Sequence, residues 1–213
     1  AMLGFARLDT AIEAVGQRAL SLTADVTQAD QITSVVDCIV KEWNQLDVAC
    51  NNAGVNNWVD SVDLSETDWN WIYDTNVKGA FFSAQAEGRV MIAAGSGSII
   101  NLASMSARVT NRPRMQAHYN SSKAALVQLT KSLAAEWASS GVRVNSLSPG
   151  YTRTEMADAP RTREAQPIWT RDTPMGRMAE VDELQGPAVF LASQASSYVT
   201  GHDLVVDGGF TIW

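Results

Sequence analysis

The sequence is short of cysteine, of net positive charge and of long apolar runs. Its 213 residues include two cysteines, Cys38 and Cys50, which are too few and too poorly spaced for a disulfide framework or a zinc site. A reducing compartment, the cytoplasm, is therefore expected. The net charge of -7 argues against nucleic acid or an anionic membrane as partner, because both bind basic patches. No apolar run approaches the ~20 residues of a membrane-spanning helix, so the predicted partner is a small molecule.

Short apolar runs alternate with helical periodicity along the chain. A content of 46% hydrophobic and 18% charged residues is typical of a globular protein, and we predict one domain over residues 1–213. The predicted strands are ALSLTAD from Ala19, LDVAC from Leu46, GSIINLAS from Gly97, VRVNSLSPG from Val142 and DLVVDGG from Asp203.

Helices are predicted between these runs. They cover Gln31–Trp43, Ala117–Ser139 and roughly Val181–Ala195, and the second carries an apolar stripe and stops before Gly141. Residues Tyr151 to Arg177, rich in Thr, Arg, Asp and Pro, read as one long loop. Alternating strands and helices predict a doubly wound α/β fold, with a parallel sheet covered on both faces.

Polar and small residues follow three of these strands, at the edge where such sheets bind ligands. The segments are Asn51-Asn52-Ala53-Gly54, Ala103-Ser104-Met105-Ser106 and Pro149-Gly150. Taken singly, the first and third are also typical of plain turns, and the serines of helix caps. Their coincidence at one edge of one sheet favours a binding site.

Tyr119 and Lys123 lie four positions apart, and therefore on one face of the predicted helix. A neighbouring ammonium favours the ionised phenol and lowers its pKa, which would make Tyr119 a usable acid or base. Taken alone, the same spacing is more typical of two solvated side chains on a surface helix.

Six segments together resemble the short-chain dehydrogenases and reductases. NNAG, NVKGAFF, GSIINLAS, YNSSK, VRVNSLSPG and VTGHDLVVDGG occur in that family's order and spacing, from about Leu8 to Trp213. The resemblance implies a Rossmann-like sheet and a catalytic tetrad. Tyr119 would be the general acid or base, Lys123 would lower its pKa and hold the nicotinamide ribose, Ser104 would bind the substrate oxygen, and Asn76 would hold a water that links Lys123 to solvent.

The resemblance also implies a cofactor site, an assembly and a substrate. The cofactor is NAD or NADP, the assembly is a homotetramer, and the substrate is a small alcohol or carbonyl compound. The residues implied to bind the cofactor, besides Tyr119 and Lys123, are Asp25, Val26, Asn52, Ala53, Gly54, Pro149, Gly150, Thr152 and Thr154.

The spacing of the serine departs from the family pattern. The family commonly places it about thirteen residues before the tyrosine, a count that Ser106 fits, whereas Ser104 precedes Tyr119 by fifteen. Ser104 is the choice here because it directly follows the strand, and the loop RVTNRPRMQA can hold two extra residues. That loop, with SMSA before it and GGFTIW at the end, resembles the branch that acts on sugars, polyols and ketoses.

The first residues of the chain depart further from the family pattern, because they contain no Gly-x-x-x-Gly-x-Gly turn. The first two strands of the family pattern are missing, the second between roughly Arg7 and Leu8, so the choice between NAD and NADP cannot be read. In the family order these strands separate ALSLTAD from LDVAC. We therefore expect residues of the functional protein to be absent here, with a chain break or a large displacement before Asp25. Direct pairing of ALSLTAD with LDVAC in a closed sheet would contradict this expectation.

Two functions of different classes follow. The first is an NAD(P)-dependent oxidoreductase that interconverts a secondary alcohol and a ketone, with Tyr119 moving the proton. The second is an inactive scaffold or interaction subunit that has lost its nucleotide-binding half. The complete tetrad favours the enzyme, in which the loop from Tyr151 to Arg177 is expected to close over the substrate.

Overall fold

Four strands form one parallel sheet in the computed structural model, which describes residues 12, 16–154, 157 and 162–212. They are β1 (Val48–Asn51), β2 (Gly97–Leu102), β3 (Val142–Pro149) and β4 (Asp203–Val206), and they lie side by side in chain order. Each pairs in parallel with the next, so the carboxyl ends of all four meet at one edge. The α/β sheet and four of the five predicted strands are confirmed.

Helices connect these strands. The α-helices of the described residues are α1 (Ala29–Trp43), α2 (Glu66–Tyr73), α3 (Ala80–Ala94), α4 (Ala117–Trp137), α5 (Gln166–Asp172) and α6 (Gln185–Ala192). A π-helical turn, Asp74–Gly79, joins α2 directly to α3. Short 3₁₀ turns cover Met105–Ala107, Ala138–Ser140, Val181–Leu184, Gln194–Ser196 and Phe210–Ile212.

The sheet is covered on both faces, as predicted. Successive residues of a strand point to opposite faces, and in β2 Ile99 packs among residues of α3 and α4 whereas Ile100 packs against Leu191 of α6. Helix α1 packs against α3 through Ile32 and Val36. Both faces of β2 are therefore buried, which is why its apolar residues stand side by side in the sequence rather than alternating with exposed polar ones.

Helix α4 confirms the predicted apolar stripe. Leu126 and Leu133 are buried, and Leu129 and Trp137 pack against the same core. The helix gives way to a 3₁₀ turn and ends at Gly141, whose φ of 80° is left-handed. A side chain there would also clash with the carbonyl oxygen of Gly95, so both conformation and space require glycine.

Three predictions about secondary structure need correction. The strand predicted over Ala19–Asp25 is wrong, because the described chain there has no regular structure and pairs with no strand of the sheet. The long loop from Tyr151 to Arg177 contains α5, in which Pro167 occupies the first turn. The single helix predicted over Val181–Ala195 is divided into a 3₁₀ turn, α6 and a second 3₁₀ turn.

The expected break before Asp25 falls largely on residues 1–11 and 13–15, outside the described residues. The direct pairing of residues 19–25 with β1, which would have contradicted that expectation, is not observed. Among the described residues, no helix is both long enough and apolar enough to cross a membrane.

Candidate active site

A cavity of about 600 Å³ lies at the carboxyl edge of β1, β2 and β3. Helix α4, the turn after β2 and the segment after β3 supply most of its wall. The predicted site residues that line it are Asn52, Gly54, Ser104, Tyr119, Lys123, Pro149, Gly150, Thr152 and Thr154. The structure thus brings together residues that are up to about a hundred positions apart in the chain.

Two serines stand at the turn that follows β2. Ser104 is the N-cap of the short 3₁₀ turn, where its Oγ accepts the N–H of Ser106 at 3.1 Å. The Ser104 hydroxyl donates to the Ser106 hydroxyl at 3.0 Å. Both serines line the cavity, but Tyr119 hydrogen-bonds with Ser104. Ser106 is more deeply buried than Ser104, at 4% exposure.

Tyr119 lies in the first turn of α4, half-buried in the cavity wall. Burial raises the pKa of its phenol, and the hydrogen bond with Ser104 lowers it by less. This direction is opposite to the one that a neighbouring ammonium alone predicts. The Lys123 Nζ lies 5.7 Å from the centroid of the Tyr119 ring, and the loss of hydration outweighs its attraction.

Lys123 is buried at 4% exposure, and its Nζ donates to the carbonyl oxygen of Leu102 at 2.7 Å. Burial lowers the pKa of this ammonium to about 8. A Cβ placed on Gly54 would lie 3.5 Å from the Lys123 Nζ. The glycine therefore leaves the ammonium open toward the cavity, and an ammonium has three donors, of which Leu102 takes one.

Asn76 is fully buried in the π-helical turn, at 0% exposure. Its Oδ1 accepts the N–H of Val55 at 2.8 Å, and its Nδ2 donates to the Val55 carbonyl at 3.0 Å and to the Ser122 hydroxyl at 3.2 Å. The side chain thus fastens the loop after β1 to α4. It does not line the cavity itself.

Three predicted cofactor residues lie outside the cavity lining: Asp25, Val26 and Ala53. The Asp25 carboxylate accepts the backbone N–H of Thr27 at 2.9 Å and its hydroxyl at 2.8 Å, ahead of α1. Those bonds lower the pKa of the Asp25 carboxyl. Val26 packs against Gly79 and α1. Asp25 and Val26 thus have structural contacts of their own.

The lining fits the nicotinamide half of a dinucleotide. Gly54, after β1, and Gly150, after β3, both line the cavity without a side chain, and a Cβ on Gly150 would clash with the backbone of Asp207. The buried Lys123 has donors available for ribose hydroxyls. Among the described residues no group of three or more His, Cys, Asp or Glu is placed to hold a metal ion.

The opposite wall is formed by residues that sequence reasoning did not select. Gln116 accepts from Asn56 at 2.8 Å and donates to Asn111 at 3.0 Å, and Asn111 in turn donates to the Tyr151 hydroxyl at 3.1 Å. The Oδ1 of Asn56 is buried and has no hydrogen-bond partner in the described structure. This chain of amides makes the wall polar, and the Oδ1 of Asn56 is an acceptor that could bind a hydroxyl.

Aromatic rings complete that wall. Tyr151 stacks on Trp169 with ring centroids 4.3 Å apart, and the Arg114 guanidinium lies 5.6 Å from the centroid of the Trp58 ring. The loop from Arg108 to Gln116, interpreted above as a tolerant insertion, therefore contributes directly to the cavity. Its run of Asn, Arg and Gln was the available signal.

The chain matches a family model described as enoyl-(acyl carrier protein) reductase over residues 3–211. It is 43% identical over 210 residues to galactitol 2-dehydrogenase (L-tagatose-forming) of Cereibacter sphaeroides, covering 98% of this chain and 82% of that protein. It is 39% identical over 201 residues to gluconate 5-dehydrogenase of Gluconobacter oxydans, covering 94% and 78%.

Solved structures agree with these sequence matches. A short-chain type dehydrogenase/reductase from Mycobacterium marinum superposes with a TM-score of 0.93 at 43% identity, covering 96% of this chain and 80% of that one. A gluconate 5-dehydrogenase from Burkholderia cenocepacia, solved with NADP and tartrate, superposes with a TM-score of 0.91 at 36% identity. That match covers 98% of this chain and 81% of the other.

Proposed function

The chain belongs to the short-chain dehydrogenase/reductase family, and we propose that it interconverts a secondary alcohol and a ketone on a polyhydroxylated substrate with NAD or NADP. The observation that carries this proposal is the placement of Ser104, Tyr119 and Lys123 around one cavity. Tyr119 hydrogen-bonds with Ser104, and the Lys123 ammonium lies 5.7 Å from its ring.

The proton is moved by Tyr119. In the reducing direction the phenol donates its proton to the carbonyl oxygen, and in the oxidising direction the phenolate takes the proton of the alcohol. The raised pKa keeps the phenol protonated and suits the first of these steps. Ser104 holds the substrate oxygen beside the phenol, because its hydroxyl already bonds with Tyr119.

The bound nicotinamide supplies the hydride acceptor or donor for the carbon that bears the reacting oxygen. Lys123 binds the ribose through its spare donors, and its charge favours the phenolate form of Tyr119. Asn76 positions the loop after β1 for this purpose through its bonds to Val55. The remaining cofactor contacts come from Asn52, Ala53, Gly54, Pro149, Gly150, Thr152 and Thr154, with Asp25 and Val26 toward the adenine.

The amide-lined wall supports a polyhydroxylated substrate, because Asn56, Asn111 and Gln116 line the cavity and the Oδ1 of Asn56 is an acceptor without a partner in the described structure. Relatives named as galactitol, sorbose, gluconate and threitol enzymes point the same way. The described residues of the segment after β3 that line the cavity include Tyr151, Thr162 and Trp169. The proposal also includes a single domain that works as a homotetramer in the cytoplasm.

Replacing Tyr119 by Phe tests the mechanism. Turnover of alditols and their ketoses, followed by the absorbance of reduced nicotinamide, should fall by about 100-fold or more. The thermal shift caused by NADH or NADPH should persist, because the variant keeps the ring and Lys123. Tyr198, which is fully exposed, provides the control Tyr198→Phe. A Tyr119→Phe variant that kept more than about a tenth of wild-type turnover would contradict the mechanism.

A further inference from the structure

We propose that Arg114 binds a carboxylate on the substrate, so that the protein acts on a sugar acid in preference to the neutral polyol of the same configuration. This inference rests on the proposed function, since it names the class of polyhydroxylated substrate. It starts from the charges on the cavity wall. The wall carries two cations, Arg114 and Lys123, and none of its described residues is Asp or Glu.

That distribution is unexpected for this protein. The chain has 23 acidic residues against 16 Lys and Arg, so a cavity lined only by cations runs against its overall charge. Lys123 belongs to the catalytic group and donates to the Leu102 carbonyl. Arg114 has no such role, and a positive charge beside a substrate pocket raises the local concentration of anions.

Arg114 has no carboxylate partner among the described residues, whereas its neighbours do. Arg112 pairs with Asp172 at 3.2 Å and Arg108 pairs with Asp203 at 2.9 Å. The Arg114 guanidinium instead lies over the Trp58 ring, 5.6 Å from its centroid. Contact with an indole face holds the guanidinium while leaving its N–H groups free for a planar anion, which they can bind through two parallel hydrogen bonds.

The groups next to Arg114 suit the remainder of such a substrate. Gln116, two residues further on, ties Asn56 and Asn111 into the amide wall. The Oδ1 of Asn56 is buried without a partner, and it is an acceptor for a hydroxyl. A hydroxylated chain with a terminal carboxylate can bind both the Oδ1 of Asn56 and the guanidinium of Arg114, whereas a neutral polyol can pair only with the former.

The test compares acid and neutral substrates of matched configuration, gluconate with sorbitol and galactonate with galactitol. Wild-type protein should show at least about a 10-fold higher kcat/KM for one of the acids than for its neutral counterpart. Arg114→Gln should remove that preference by raising KM for the acid by about 10-fold or more, and KM for the neutral substrate by much less. Arg114→Lys should restore part of it, because a lysine keeps the charge but not the paired geometry.

Binding provides a readout that does not depend on turnover. Isothermal titration of gluconate and galactonate into cofactor-free protein should give a dissociation constant that rises about 10-fold or more in Arg114→Gln. Arg89→Gln, on the exposed side of α3, is the matched control and should leave it unchanged. Circular dichroism and thermal melting establish that each variant is folded.

Three results would overturn the inference. The first is an equal kcat/KM of the wild type for the acid and the neutral substrates. The second is a dissociation constant for each acid that is the same in the wild type and in Arg114→Gln. The third is a variant that loses affinity only for NADPH, since Arg114 would then serve the cofactor phosphate. Each leaves the proposed function standing, because that function fails on a different result, namely Tyr119→Phe retaining turnover.

Discussion

Replacing Lys123 by Met should change how the stability of the protein depends on pH. In the native protein burial lowers the pKa of Lys123 to about 8, against 10.5 for a solvated lysine. Between these two values the unfolded chain holds a proton that the native protein has released. The free energy of unfolding of the wild type therefore rises with pH across this window, and the unfavourable contribution is fully present below pH 8.

The size of the effect follows from the same two values. Each pH unit is worth about 1.4 kcal/mol, so the wild type should gain about 3 kcal/mol relative to Lys123→Met by the top of the window. The variant also loses the bond to the Leu102 carbonyl, which costs about 1 to 3 kcal/mol. That loss does not depend on pH. It therefore lowers the free energy of unfolding of the variant by the same amount at every pH and does not change how the difference between the two proteins varies with pH.

Urea denaturation of cofactor-free protein, from neutral pH to above 10.5, measures this difference. Lys131→Met is the control, because Lys131 is an exposed lysine on the same helix. Its pH dependence should follow the wild type. If Lys123→Met also followed the wild type, Lys123 would have to remain charged throughout, and its assignment as a strongly desolvated ammonium would be wrong.

Three further predictions address the site and the assembly. Ser104→Ala should reduce turnover strongly and Ser106→Ala much less, since Ser104 is the partner of Tyr119; the reverse ranking in steady-state kinetics would refute the choice. Asn76→Ala should lower the free energy of unfolding by about 2 to 4 kcal/mol, because the N–H and the carbonyl of the partly buried Val55 both lose their partner; an unchanged urea midpoint would contradict this. Light scattering at micromolar concentration should give the mass of a tetramer, and a monomer would refute that assembly.

The part of the fold that could be predicted consists of the helices and strands whose own sequence pattern reveals which residues are buried. β2 and β3 are short strand-like runs in which Val, Ile and Leu recur, and α4 carries an apolar stripe at helical spacing, so local sequence patterns indicate all three. The run from Ala19 to Asp25 has the same composition but no strand to pair with in the described sheet. A β-strand forms only when it is hydrogen-bonded to a neighbouring strand, and the local sequence does not show whether such a neighbour is present.

The candidate site divides in the same way. The half that holds Ser104, Tyr119 and Lys123 could be predicted because these residues belong to ordered motifs of the family resemblance, directly after β2 and in the first two turns of α4. Its other half depends on contacts such as the one between Asn56 and Gln116, which are sixty residues apart. Nothing local in either segment indicates that partner, so the role of the loop emerges only from the folded chain.

The π-helical turn between α2 and α3 has a further consequence for the way this protein tolerates change. A π turn holds one residue more than the α turn it replaces, and one residue is about 100° of helical rotation. Asp74–Gly79 therefore sets the rotational phase of α3, including the face on which Ala84 and Met91 meet the sheet. A one-residue deletion there would turn a whole helix rather than shorten a loop, so insertions and deletions should be far less tolerated in this short segment than in any surface connection of equal length.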